Sequence, residues 1–242
     1  MPDSRAEEAR AQMLDLFPTG FEEIEGSGGV ELVAYTDAAG EELLWKMFGG
    51  VRGDDVAEDW EDRWKAFHHP VRVGRLWVGP PWEQPDDDAL AVVIDPGRAF
   101  GTGAHPTTRL CLELLEDAPR GSLLDVGCGS GVLSIAAVKI GFAPVLGVDV
   151  EAAAVEATLA NAAANGVEVE ARLVDANAAD LPPADVAVAN ISLADVERLR
   201  LDAGHAVTSG YLAADRPRLA GYRSVDRREV DGWAADLHAR ER

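Results

Sequence analysis

Between Asp95 and Thr108 the chain reads Asp-Pro-Gly-Arg-Ala-Phe-Gly-Thr-Gly-Ala-His-Pro-Thr-Thr, and one helix-length later Leu123 to Val126 runs into Gly127, Gly129 and Gly131. Three glycines at alternate positions, after a short apolar run and before a helical pattern, place a bare main-chain turn at the carboxyl end of a buried strand. Open α/β sheets bind nucleotides there. Asp149 closes the next apolar run, Val145 to Val148, where its carboxylate suits a pair of ribose hydroxyls. Asp175 closes the run after that, and Asn190 follows Val186 to Ala189, so all three project from one sheet edge. The glycine spacing is not that of a dinucleotide site. Counted from Gly127, the third position of Gly-x-Gly-x-x-Gly falls on Val132, where helix-to-strand packing calls for Gly or Ala.

The elements that must hold these residues follow from periodicity. Strand Leu90 to Ile94, helix Thr107 to Glu116, strand Leu123 to Val126, helix Val132 to Ile140, strand Val145 to Val148 and helix Ala152 to Asn165 alternate. Strands Ala171 to Val174 and Val186 to Ala189, helix Leu193 to Leu201, and strands Val207 to Leu212, Tyr222 to Val230 and Trp233 to His238 complete the series. Such alternation predicts parallel pairing through right-handed crossovers. Upstream, the pattern gives a helix Ser4 to Phe17, a strand at Val30, Leu32 and Ala34, and a helix carrying Leu43, Leu44, Met47 and Phe48. Trp60, Trp64 and Phe67 form one aromatic helix face, Arg72 to Val78 a strand, and Pro85 to Asp88 an exposed hinge. The expected division is a small α/β domain over residues 1–57, a linker helix and strand over 58–85, and a cofactor-binding catalytic domain over 86–242.

Composition narrows the class. The 43 acidic and 22 basic residues give a formal charge of -21. Direct nucleic-acid binding is not expected, because phosphate recognition needs a positive footprint. Residues 1–58 hold 14 acids and 4 bases, a field that could steer a basic protein and that equally serves solubility. No apolar stretch approaches the length of a membrane span and the first residues are acidic, so no membrane partner and a cytoplasmic location are expected. Cys111 and Cys128 build neither a disulfide framework nor a zinc site. His105 has no second histidine or carboxylate at ligand spacing, so no metal is expected. His68 and His69 read as local hydrogen-bonding residues, and Thr107 or Thr108 also suits an N-cap.

The string Asp125-x-Gly127-x-Gly129-x-Gly131 is similar to the glycine motif of class I S-adenosylmethionine-dependent methyltransferases. A carboxylate beside the turn favours a cationic, zwitterionic ligand that a pyrophosphate site would not. Together with Trp60-x-x-x-Trp64-Lys65-x-Phe67-His68, Arg75 to Trp82 and Ala189-Asn190-Ile191, the segment Asp95 to Thr108 resembles the ribosomal protein L11 methyltransferases of the PrmA family, from about residue 58 onward.

That resemblance implies a Rossmann-like, seven-stranded α/β sheet with a small, shortened N-terminal α/β domain, and S-adenosyl-L-methionine as cofactor. It implies a loop of Phe100, Gly101, Thr102, Gly103, His105 and Thr107 over the cofactor. Asp125, Gly127, Cys128, Gly129 and Gly131 would lie at its methionine end, Asp149 and Val150 at the ribose, and Asp175 and Ala176 at the adenine. Asn190 and Thr107 would serve the reacting amine. Ile191 and Ser192 stand where planar-nitrogen enzymes carry Pro-Tyr, which suits an aliphatic amine. The implied activity is in-line methyl transfer to lysine or N-terminal amines of a basic ribosomal protein by a monomeric enzyme. The alternatives are another protein lysine, a small amine, or a catalytically silent cofactor-binding module. The resemblance also implies an N-terminal edge strand that this chain, opening on its first helix, is expected to lack.

Overall fold

The structure is a computed structural model that describes residues 9, 13, 22–26, 29–34, 36, 38–52, 69–95 and 103–241. The aromatic helix face Trp60–Phe67, His68, and loop residues Phe100, Gly101 and Thr102 lie outside the described residues, as does most of the expected helix Ser4 to Phe17. Ala9 and Met13 of that stretch are helical and buried. The chain separates into two compact units, Met1–Trp60 and Glu61–Arg242.

In the first unit β1 (Glu22–Gly26) and β2 (Gly29–Val33) form an antiparallel hairpin with Glu22 opposite Val33. The sequence pattern gave only the second strand. Three of the five β1 residues are glutamates, so β1 carries no apolar alternation from which a strand is read. Helix α1 (Ala38–Phe48) opens on Glu41 and closes on Lys46, which suits its dipole. It stops at Gly49, whose φ of 66° lets its N–H turn back to the Trp45 carbonyl at 3.0 Å.

The second unit holds two sheets. β3 (Val71–Val73) pairs antiparallel with β4 (Leu76–Gly79), and β4 pairs parallel with β5 (Leu90–Val93). The expected single strand Arg72 to Val78 is therefore a hairpin. Gly74, at φ 52°, reverses the chain in a two-residue Gly74-Arg75 loop, with apolar residues on both sides that read as one strand. β5 likewise joins this small sheet rather than the large one. Its pairing with β4 spans the Pro85–Asp88 hinge, where Arg72 bridges Asp86 and Asp88.

The larger sheet has the order β11-β12-β10-β9-β6-β7-β8. Its strands are β6 (Leu123–Val126), β7 (Val145–Asp149), β8 (Glu170–Leu173), β9 (Ala184–Asn190), β10 (Ala203–Leu212), β11 (Tyr222–Val230) and β12 (Trp233–Arg240). β6 to β10 run parallel, and the β11–β12 hairpin closes one side with β12 antiparallel to β10. This is the expected Rossmann-like architecture. Helices α2 (Pro106–Asp117), α3 (Val132–Ile140) and α4 (Ala152–Ala164) follow β5, β6 and β7. The expected helix Leu193 to Leu201 is shortened to α5 (Leu193–Val196).

Strand alternation divides the core. Leu123, Val186, Val188 and Val207 pack with α2 and α3, whereas Leu124, Val126, Ala187 and Ala189 join Leu199, Leu219 and Tyr222 on the opposite face. Both faces of the central strands are covered, so β6, β7 and β9 are mostly apolar, whereas the edge strand β8, Glu-Ala-Arg-Leu, is largely exposed. The small sheet shares the first cluster through Leu76, Val78, Val92 and Ile94. Two asparagines one turn apart on α4 lock it there. The Asn165 amide receives the Val93 N–H at 2.9 Å and donates to the Val93 carbonyl at 2.6 Å, replacing a neighbouring strand on the open edge of β5. Asn161 receives the Asp95 N–H at 3.2 Å and donates to the Ser130 carbonyl at 2.8 Å. Among the described residues no helix is long and apolar enough to cross a membrane.

Candidate cofactor and acceptor site

From β6 the strand order runs to β7 and β8 on one side and to β9 and β10 on the other. Such a reversal opens a crevice at the carboxyl ends of the strands. A cleft of about 400 Å³ lies there, within the size range of small-molecule sites.

The glycine turn forms its floor. Gly127, Gly129 and Gly131 have φ values of 75°, 54° and 82°, so each takes the left-handed conformation that a side chain resists. The turn is fastened to β7, because the N–H groups of Gly127 and Cys128 both donate to the Val148 carbonyl, at 2.8 and 3.1 Å. Asp149 Oδ2 accepts from Gly129 N–H at 3.0 Å and Oδ1 from Glu151 N–H at 3.0 Å, which fixes the carboxylate at the cleft wall. From behind, the Thr158 hydroxyl donates to the Gly129 carbonyl at 3.0 Å. Thr158 also approaches the Cys128 thiol, which burial pushes up to about 12 and so keeps neutral.

Asp125 sits beneath this floor. Alternation along β6 turns it toward α3, where it is fully buried and its Oδ2 accepts from the Ser134 hydroxyl at 2.6 Å. Burial raises its carboxyl from 3.8 to about 6, with Ser134 opposing the shift and the charge of Asp149 adding to it. Asp125 Oδ1 is buried and has no hydrogen-bond partner among the described residues. Asp125 therefore does not line the cleft.

Asn190 is the last residue of β9 rather than the first beyond it. Its amide nitrogen donates to the Thr108 hydroxyl at 3.3 Å, which leaves the amide oxygen as the acceptor for a ligand. Thr108 lies in the first turn of α2, whose N-cap is His105. The imidazole Nδ1 receives the Thr107 N–H at 3.3 Å and lies 2.8 Å from its hydroxyl, while the ring meets Trp233 edge-on at 5.0 Å. The cap is thus a histidine, not Thr107 or Thr108, both of which lie inside the helix and are buried. At Gly103, φ 89°, a Cβ would come within 2.3 Å of Val78, so this glycine packs against β4.

Of the residues singled out in the sequence, Gly127, Cys128, Gly129, Asp149, Val150, Asp175, Ala176 and Asn190 line one cleft. Gly103, His105, Thr107, Asp125 and Gly131 stand behind or beside it. Glu151, Asn177 and Asp195 are lining residues that the sequence did not single out, while Thr108, read there as a cap candidate, and Ile191, read there as part of the strand-end motif, line the cleft as well. Asn177 donates to Asp195 at 3.2 Å, and Asp175 receives the Asn177 N–H at 2.9 Å. Only a carboxylate or amide close behind a strand-end aspartate marks such positions locally, and Glu151 two residues after Asp149 and Asn177 two residues after Asp175 are the two instances. Asp149, Glu151, Asp175 and Asp195 give the wall four carboxylates, and no lysine or arginine is among its described residues. That electrostatic balance favours a cationic ligand.

Comparison with known proteins agrees with this geometry. The family described as ribosomal protein L11 methyltransferase (PrmA) matches residues 37–217. A ribosomal protein L11 methyltransferase from Symbiobacterium thermophilum is 42% identical over 198 residues, covering 74% of this chain and 65% of the relative. One from Vibrio cholerae is 50% identical over 140 residues, covering 55% of this chain and 47% of the relative. The chain thus spans between about half and two thirds of the length of these relatives. The crystal structure of a ribosomal protein L11 methylase from Lactobacillus delbrueckii subsp. bulgaricus superimposes with a TM-score of 0.63 at 27% identity, over 72% of this chain and 100% of that one.

Proposed function

The chain belongs to the ribosomal protein L11 methyltransferase (PrmA) family, and from that membership we propose that it methylates lysine or N-terminal amines of ribosomal protein L11, using S-adenosylmethionine. The observation that carries this reading is the pairing, across one cleft, of an amide at the end of β9 with a left-handed glycine turn at the end of β6.

The residues present fit the cofactor. Gly127 and Gly129, both at positive φ, line the cleft with bare main chain, and the surrounding carboxylates suit the cofactor's positive charge. Asp149 would hold the ribose hydroxyls, since each of its oxygens keeps acceptor capacity beyond its one main-chain bond. Asp175, Ala176 and Val150 would flank the adenine. When bound, the cofactor supplies a methyl group on a cationic sulfur, which an amine displaces in line.

The chain's own task is to present that amine. Asn190, oriented by Thr108, accepts an amine N–H through its amide oxygen and so aims the lone pair. A lysine of reference pKa about 10.4 must first lose a proton, and apolar walls such as Ile191, Val126 and Leu199 favour the neutral form. No side chain is assigned as the base; water carries the proton out. Alignment then supplies much of the rate. We place the reaction in the cytoplasm and assign L11 by family membership and by the acidity that suits a basic partner.

Incubation with methyl-labelled S-adenosylmethionine and purified ribosomal proteins tests this reading. A single labelled band at L11 is expected. Label on a different protein would overturn the substrate, and no label with any protein mixture would overturn the activity.

A further inference from the structure

Asn190 is followed by Ile191, whose peptide lies against one glycine and whose side chain lies against another. Ile191 N–H donates to the Ser209 carbonyl at 3.2 Å, adding one rung to the β9–β10 ladder beyond Asn190 and Ser209. The next residue of β10, Gly210, has a φ of 101° and sits where the pairing of β10 with β12 shifts between Ser209 and Tyr211. This bulge lies under the Ile191 peptide. A Cβ on Gly210 would stand 2.0 Å from the Ile191 carbonyl oxygen and 2.7 Å from its carbonyl carbon. At the Ile191 side chain, a Cβ on Gly127 would stand 2.5 Å from Cγ2. Ile191 and Asn190 both line the cleft.

A regular strand would carry a side chain at position 210 and keep the peptide after β9 away from it. Bulges near active sites re-aim neighbouring groups in this way. We propose that Gly210 is a positioning residue for the methyl acceptor: its bulge seats the Asn190–Ile191 peptide at the depth where the Asn190 amide oxygen meets the incoming amine. The inference rests on the acceptor role given to Asn190 above. Ordinary contact begins at 3.4 Å, so any side chain at 210 must push the Ile191 carbonyl, now 2.0 Å from the Cβ position, more than an ångström away. A misplacement of that size costs on the order of 100-fold in rate. The Asp149–Gly129 contact that would hold the cofactor takes no part in the displacement.

The test compares Gly210→Ala with Gly221→Ala, whose site has a φ of 80° and nothing within 4 Å of an added Cβ. Both variants carry left-handed strain, but only the first carries the clash. For Gly210→Ala, kcat on L11 is expected to fall about 100-fold. Its affinity for S-adenosylhomocysteine by calorimetry should stay at the parent level, and the Ile191 amide should exchange hydrogen faster. Gly221→Ala should keep the parent kcat. If Gly210→Ala does not fold, Ile191→Ala decides: it removes the side chain that lies against Gly127 and should lower kcat while speeding exchange at residue 191, and a kcat loss with parent-level exchange there, as loss of an apolar wall alone would give, would overturn the inference. An unchanged kcat in the deciding variant, a Gly210→Ala loss matched by an equal loss of S-adenosylhomocysteine affinity, or an equal activity loss in Gly221→Ala would each overturn the inference. Failure of the parent protein to label L11 overturns the proposed function instead, so the two failures are distinct.

Discussion

Two aspartates in adjacent strands do opposite work because one faces the cleft and the other the core. Asp149 holds Gly129 and Glu151 through main-chain N–H groups while presenting its carboxylate to the cleft. Hydrogen bonds to a charged group contribute about 1.5–3 kcal/mol. Asp149→Ala should therefore weaken S-adenosylhomocysteine binding by at least tenfold in calorimetry, and parent-level affinity would contradict the ribose assignment. Asp125, fully buried, prefers its proton, with its carboxyl raised to about 6. A folded state that binds a proton more tightly than the unfolded chain loses stability as pH rises. The loss begins near the unfolded value of about 4 and is complete above about 6, and a shift of about two units corresponds to about 3 kcal/mol. Asp125→Asn cannot titrate, so its stability relative to the parent should improve by up to that amount between pH 4 and pH 7 in urea titrations. A difference independent of pH would show that Asp125 is ionised throughout.

At the scale of elements, the β11–β12 hairpin is joined by one ion pair of consequence. Arg227 Nη1 lies 2.7 Å from Asp236 Oδ2, and the Asp236 side chain is 4% exposed. Removing one partner of such a pair strands a buried charge at a cost of about 3–5 kcal/mol. Arg227→Ala should lower the urea midpoint accordingly. Arg172→Ala, whose pair with Glu170 is more than half exposed on both sides, should move it by less than about 1 kcal/mol. Elements with a local signal were legible in the sequence. Val132–Ile140 and Tyr222–Val230 begin and end as read, because apolar period and flanking glycines mark them. β1, masked by glutamates, was not, and neither was the turn at Gly74, whose flanks on both sides read as one strand. The glycine turn and the strand-end residues Asp149, Asp175 and Asn190 were legible for the same reason as the strands. Asp195 was not, and Thr108 was legible only as a cap candidate, since each joins the cleft through contacts formed only after the chain has folded. Asn165, which closes β5 from 72 residues away, has no local mark at all.

For the whole molecule, a charge of -21 acts at long range. Attraction of a basic ribosomal protein is screened over about 10 Å at 0.1 M salt. Raising ionic strength should thus raise KM for L11 with little change in kcat, whereas a salt-independent KM would assign recognition to apolar contacts. The strand order has a further consequence. β12 is the latest of the described strands in sequence, yet it occupies an interior lane between β10 and β11. During synthesis the parallel strands emerge well before it. Until residues 233–240 arrive, the flank of β10 presents unpaired main-chain groups, and Leu110 to Leu115 of α2 lack Ala235, a member of the cluster in which they are buried. The nascent chain must therefore wait with an open seam, a state that invites chaperones or mispairing. Truncation before Trp233 would disable a cleft to which β12 itself contributes no wall.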